Sequence, residues 1–411
     1  MPLRKKLGLL LVSACGLHTA VGFMAQNPNK VLLSTMPTVS PYGRDATIAW
    51  AAPVLLPTKP MPPVQPAGLG SKFYLPAFLP PWIARDTVRT KFSDDIFFLE
   101  QSQTFVNVSV NIRSTVIRLK NGDLFVHAPV APTPECVSLI KELGEVAYVV
   151  LPVTAIEHKV YMARFASLFP KAKIYVAPGQ FSWPVDLPLG FRVDGVLTEE
   201  NKKSMPFIDE IDYTGWIFRP FTGSISEVAF FHRKSRTLLV TDAIIWIDDQ
   251  PPEILRQAGV GQDLWKKMAL QACFLGPPNL DTFQKIKQRL IVSPVIRVLV
   301  VSRAKKEVAE WIKRVCEWKF ERVIPAHFSA PIKAGPVDLQ DAYAFLEEGE
   351  TGADRGGKSL PFGFDFSALW QGRQGAVGRK GRGGKSVQFP EQDLKILKSL
   401  NKFVSATGLA E

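Results

Sequence analysis

The chain has 411 residues, 46% of them hydrophobic, which allows a large core and more than one domain. Its formal charge of +12 invites a nucleic-acid reading. The excess sits at the ends, however: residues 1–90 hold nine Lys/Arg against two acids, residues 352–411 ten against five, and residues 91–351 hold 31 of each. A neutral body excludes a charge bias toward a phosphate backbone, so nucleic acid is not an expected partner. Four cysteines without a CxxC pair exclude a disulfide framework and a thiolate zinc site, and are expected as buried free thiols.

Arg4, Lys5 and Lys6 precede an apolar run from Leu7 to Leu17. That run has the length of a signal-peptide core and is too short to span a bilayer. Ala20-Val21-Gly22-Phe23 follows, then a stretch rich in Ser, Thr, Ala and Pro with Asp45 as its only acid before Asp86. This resembles the two-part plastid address of algae whose plastids lie inside extra membranes, with plain secretion as the alternative. The expected segments are a signal peptide over 1–22, a transit peptide and Pro-rich linker over 23–92, one domain over 93–350, a Gly-rich basic tail over 351–388 and a terminal helix over 389–411. No membrane-spanning segment is expected in the mature chain.

Within the domain, Asp95–Leu99 and Thr104–Ile112 read as strands. Lys120-Asn121-Gly122-Asp123 between two apolar runs predicts a hairpin. Thr133 and Pro134 open a helix that Gly144 closes. Glu145–Leu151 has almost no polar residue, as in a strand covered on both faces. It leads into Glu157 and His158 at the start of a helix, followed by a strand over Lys171–Ala177. Glu227–His232 and Arg236–Thr241 form a second hairpin around a basic turn, and Asp242 ends it. A carboxylate at the end of a buried strand must be hydrogen-bonded, paired or bound to metal. Capping a turn is the plainer role for Asp242. A helix over Ala304–Trp318 precedes the short strand of Val323 and Ile324, and His327 stands just past that strand.

Three strand ends thus deliver metal-competent side chains: Glu157 with His158, Asp242, and His327. Two imidazoles and two carboxylates suit one divalent Zn, Fe or Mn, and without thiolates the residues do not choose among them. No Gly-rich phosphate loop of standard spacing occurs, so no nucleotide cofactor is expected.

The layout of these motifs resembles the metallo-β-lactamase superfamily. That resemblance implies an α/β (α+β) fold, an αββα sandwich of two sheets with a metal site at one edge, here flanked by disordered N- and C-terminal extensions. Where the superfamily carries His-x-His-x-Asp-His, this chain has Val153-Thr-Ala155-Ile-Glu157-His158. The superfamily's middle His has no counterpart either, since the turn is Phe221-Thr-Gly223-Ser. Asp242 matches the carboxylate that bridges two metals, and His327 matches the final His. One half-site is therefore expected to be lost and the other kept.

A closer resemblance is to a family of photosynthetic organisms known as domain-of-unknown-function 4336. It is carried by Leu151–Lys159, Ala172–Pro178, Glu227–His232, Ser235–Asp242 and Ile324–Phe328. This family implies the fold but no reaction. The expected function is a metal-dependent, hydrolase-like protein in which Glu157, His158, Asp242 and His327 hold one ion and Glu157 or Asp242 acts as general base. The alternative is a pseudoenzyme that binds a small-molecule ligand or a protein.

Outside the site, His127 and His232 are expected to be satisfied structural histidines. Trp216, Trp246, Trp265, Trp311 and Trp318 are expected to fill the core. Residues 246–273 read as an insertion forming a lid or substrate wall.

Overall fold

Alternation along the buried strands assigns each face to a different partner. Ile96 and Phe98 face a second sheet, whereas Phe97 and Leu99 face helices on the outside. The same split recurs in the second sheet, where Val228 and Phe230 point inward and Ala229 and Phe231 outward. Strands buried on both faces explain why so few polar residues interrupt them. Each fully buried Phe or Leu contributes roughly 1.5–3 kcal/mol.

The computed structural model describes residues 86–105, 108–180, 189–219, 223–276, 279–348 and 387–406. The expected signal peptide, nearly all of the transit peptide and linker, and nearly all of the Gly-rich tail lie outside these residues.

The first sheet runs in spatial order β1 (Val88–Lys91), β2 (Ile96–Phe105), β3 (Val108–Arg118), β4 (Leu124–His127), β5 (Val146–Leu151), β6 (Lys173–Val176) and β7 (Gly195–Val196). It is antiparallel up to β4 and parallel from there on. The second sheet has the order β11 (Arg322–Ile324), β10 (Thr237–Leu239), β9 (Ile225–His232) and β8 (Ile211–Phe218). Helices α1 (Pro134–Lys141), α2 (Ile156–Lys159) and α3 (Met162–Leu168) cover the outside of the first sheet through Cys136, Ile140, Met162 and Phe165. The outside of the second sheet is covered from Lys305–Cys316 and Pro336–Tyr343 through Val308, Trp311, Ile312 and Leu339. The architecture is thus the αββα sandwich.

Several local expectations hold. Gly122 takes a φ of +90° in the β3–β4 turn, a conformation that favours glycine. The Thr133 hydroxyl accepts the Cys136 amide at 3.2 Å, capping α1. Cys136 and Cys273 are buried free thiols and Cys316 is partly buried. Trp216, Trp265 and Trp311 are buried. Trp246 and Trp318 are only partly buried, donating to Asp248 and Asp212.

Other expectations change. Thr104–Ile112 is not one strand. β2 and β3 form a long hairpin, with Phe105 paired to Val108. The apolar pattern continues through the reversal and conceals it. Strands β1 and β8 were not expected. The sequence Ile211-Asp-Tyr-Thr-Gly-Trp does alternate, but Gly215 weakens a strand reading.

Residues 253–274 form α4 (Glu253–Gln257) and α5 (Gln262–Phe274), which do not stand free as a lid. With Leu280–Ile286 they build a further cluster around Trp265, Phe274 and Phe283. The terminal helix, Glu391–Ala406, adds Leu394 and Leu397 to that cluster. No helix among the described residues is long and apolar enough to cross a membrane.

Candidate metal centre

The two sheets meet at one rim. Strand β5 stops at Leu151 because Pro152 has no amide to continue the ladder. The chain then pairs across to β9: Val228 N donates to Pro152 O at 2.8 Å, Thr154 N to Ser226 O at 3.2 Å, and Ser226 N to the Thr154 hydroxyl at 3.0 Å. This stitching carries α2, and with it Glu157 and His158, over the end of the second sheet. Beyond β10, Val240 N donates to Ile324 O, and beyond β11, Ala326 N donates to Thr241 O at 3.2 Å. The loops that hold Asp242 and His327 therefore run side by side.

His158, Asp242 and His327 converge, each offering a donor atom within 4.8 Å of the others. His158 Nε2 lies 3.8 Å from Asp242 Oδ2, and His327 Nε2 lies 3.4 Å from Asp242 Oδ1. The two imidazole centroids are 5.2 Å apart. His158 is fully buried, while the side chains of Asp242 and His327 keep 17% and 12% of their exposure. Asp242 and His327 thus keep some solvent contact, while His158 keeps none.

Glu157, expected as a fourth ligand, is not one of the three converging donors. Adjacent helical positions face different directions, and His158 rather than Glu157 brings its donor within reach of those of Asp242 and His327. Its carboxyl is nonetheless buried, with Oε2 lacking a hydrogen-bond partner. Burial first, and the Asp242 charge second, push it up to about 8. Burial likewise pushes Asp242 up to about 7. The imidazoles move the other way. Burial lowers His327 to about 4 and holds His158 well below its ordinary value. Both are neutral at pH 7, the state in which imidazole binds metal.

The residues present fit a divalent ion. Both ring nitrogens of buried His158 lack a hydrogen-bond partner, which is costly unless something binds there. His327 donates Nδ1–H to the main-chain carbonyl of Asn111 at 2.8 Å, leaving the Nε2 lone pair toward Asp242. Donors sharing one ion at bonds of about 2.0–2.2 Å sit roughly 3–4 Å apart, the range of the two distances to Asp242.

Sequence reasoning missed Glu227. Its Oε1 accepts three successive amides, from Thr241 at 2.7 Å, Asp242 at 3.2 Å and Ala243 at 3.3 Å. Burial, then the Asp242 charge, raises it to about 7. A lone charged residue at the head of the apolar run Val228–Phe231 was the available signal. His127 also differs from expectation: it is buried, but its Nε2 has no partner, and burial lowers it to about 3. His232 is a structural residue as expected, with Nδ1 2.7 Å from the Ser235 hydroxyl. Val153 and Ala155, which stand where the superfamily has His, are buried apolar residues.

Among solved structures, the chain is similar to a fragment of a diflavin flavoprotein from Nostoc sp. PCC 7120, at 12% identity and a TM-score of 0.40, covering 65% of this chain and 97% of that one. It is similar to a metallo-β-lactamase from Pontibacter korlensis, at 12% identity and a TM-score of 0.32, covering 64% and 99%. It is also similar to a metal-soaked flavodiiron core from Synechocystis sp. PCC6803, at 11% identity and a TM-score of 0.40, covering 66% of this chain and 63% of that one. No curated protein sequence matches. Residues 93–268 and 277–345 match a family model described as a domain of unknown function. By that match, the chain belongs to the DUF4336 family.

Proposed function

We propose that this protein is a mononuclear metal-dependent hydrolase with a reduced ligand set. The observation that carries the reading is the convergence of His158, Asp242 and His327 around buried, unpartnered imidazole nitrogens. A divalent cation, when bound, supplies Lewis-acid activation of water at neutral pH. The chain's own residues supply the rest. His158 and His327 stay neutral and donate lone pairs. Asp242 offers one oxygen to each side. Glu157, a buried carboxyl with an unpartnered Oε2 beside the site, is the proton acceptor of this reading.

One observation favours a second reading, a pseudoenzyme that binds a ligand without turnover. Val153 and Ala155, at the motif positions where the superfamily has His, are buried and apolar and offer no donor for a second ion. The first reading requires metal at these three residues and the second does not, so metal content of the purified full chain is the first test. A panel of phosphoester, thioester and lactam substrates then separates them, with turnover lost in Glu157→Gln expected for the enzyme.

The N-terminal sequence supports a plastid as the place of work. A fluorescent protein fused behind residues 1–92 is expected to enter the plastid of an alga with a complex plastid. Secretion of the fusion would overturn this assignment.

A further inference from the structure

His327 sits on a loop that its own sheet does little to hold. Ala326 N donates to Thr241 O, and five other polar groups of Pro325–Phe328 are held by β3 of the opposite sheet. Arg113 N donates to Ala326 O at 2.7 Å. The Arg113 guanidinium donates to Pro325 O and to Phe328 O, each at 2.6 Å. The Asn111 side chain takes both ends of Phe328: Oδ1 accepts its amide at 2.8 Å and Nδ2 donates to its carbonyl at 2.9 Å. Phe328 has a φ of +58°, an unusual conformation for a bulky residue that persists only where its surroundings over-determine it. Glu100 closes the assembly from β2, its Oε1 accepting from Arg113 at 2.6 Å and from Asn111 Nδ2 at 2.7 Å.

All three side chains are buried. A buried ion pair is weak evidence for stability, because desolvation offsets most of its attraction. Its value here is geometric. The same strand that grips the loop presents the Asn111 carbonyl to His327 Nδ1 at 2.8 Å. A carbonyl can only accept, so the ring must carry its proton on Nδ1 and expose the Nε2 lone pair toward Asp242.

We propose that Glu100, Asn111 and Arg113 are positioning residues that fix the tautomer and aim of His327 across the sheet interface. The assignment rests on the metal-site reading for its purpose but not for its geometry. Outer groups that orient a ligand typically alter metal affinity by about 10- to 100-fold.

The test uses the full chain and Zn²⁺, Mn²⁺ or Fe²⁺ alone as probe. Long-range ¹H–¹⁵N spectra of the metal-free protein report which nitrogen of His327 carries the proton. The wild type is expected to show Nδ1–H. Asn111→Ala and Glu100→Gln are expected to give a tautomer mixture and metal binding weaker by about 10-fold or more. Arg113→Lys, which keeps the charge but not the forked contacts, is expected to behave like them. Should Asn111→Ala fail to fold, Glu100→Gln and Arg113→Lys carry the test.

Nε2–H on His327 in the wild type overturns the proposal, whether or not metal binds. Variants that lose only thermal stability, with tautomer and affinity unchanged, overturn it too. If no metal binds the wild type, the metal-site reading fails by itself, and the tautomer shift still decides the positioning role.

Discussion

Glu227 Oε1 accepts the main-chain amide of Asp242 at 3.2 Å. A carboxylate on β9 thus holds the backbone of the residue that stands between the two site histidines. With the Thr241 and Ala243 amides on the same oxygen, Glu227 turns the end of β10 into a fixed platform. A buried donor left unpaired costs about 1–3 kcal/mol.

Glu227→Ala is therefore expected to destabilise the fold by about 3 kcal/mol or more. Glu227→Gln keeps an acceptor oxygen and is expected to lose about 1 kcal/mol. Urea unfolding of the two variants checks the order. Equal, negligible losses would contradict the role given to Glu227.

The pH dependence of the metal-free protein follows from two opposed sets of groups. Glu157, Glu227 and Asp242 are raised by burial to about 8, 7 and 7. A raised carboxyl favours the fold at low pH and loses that contribution as pH climbs from its unfolded value through its folded one. His127, His158, His232 and His327 are lowered by burial. They favour the fold above about 6.5, their unfolded value, and oppose it as pH falls toward their folded values. Between about 4 and 6.5 the two sets offset each other. From about pH 6.5 to 8 only the carboxyls act, so stability is expected to fall. Denaturant midpoints measured across that interval check the sign, and a rise would contradict it.

Glu157→Gln removes one of the raised carboxyls without touching the three converging donors. The variant is expected to keep wild-type metal stoichiometry and to flatten the loss of stability between about pH 6.5 and 8. Elemental analysis beside pH-dependent unfolding reads both. Loss of metal in this variant would return Glu157 to the ligand set.

Leu397, on the terminal helix, is fully buried against the cluster that contains Trp265 and Phe283. Leu397→Ala is expected to cost about 2–5 kcal/mol. A loss below about 0.5 kcal/mol, typical of surface positions, would mean that the helix does not belong to this body.

The fold was legible wherever a face and a period agreed. The Asn121-Gly122 turn, the Thr133 cap, the apolar run before Leu151 and the hairpin ending at Asp242 could be read from local chemistry alone. The β2–β3 reversal could not, because apolar residues continue through it. The site was legible where a strand ends on a metal-competent side chain, as at Asp242 and His327. Asn111 and Arg113 were hidden because they alternate with Ile112, the pattern of a solvent-facing strand edge. Only the loop folded over that face, some 215 residues later in the chain, makes it an interior.

Metal content of the purified full chain is the most direct check on the central claim. Wild type beside His158→Ala, Asp242→Ala and His327→Ala, each confirmed folded, is expected to show close to one divalent ion per chain and little or none in the variants. Wild-type protein that stays well below one ion after incubation with Zn²⁺, Mn²⁺ or Fe²⁺, with no difference from the variants, would contradict the account.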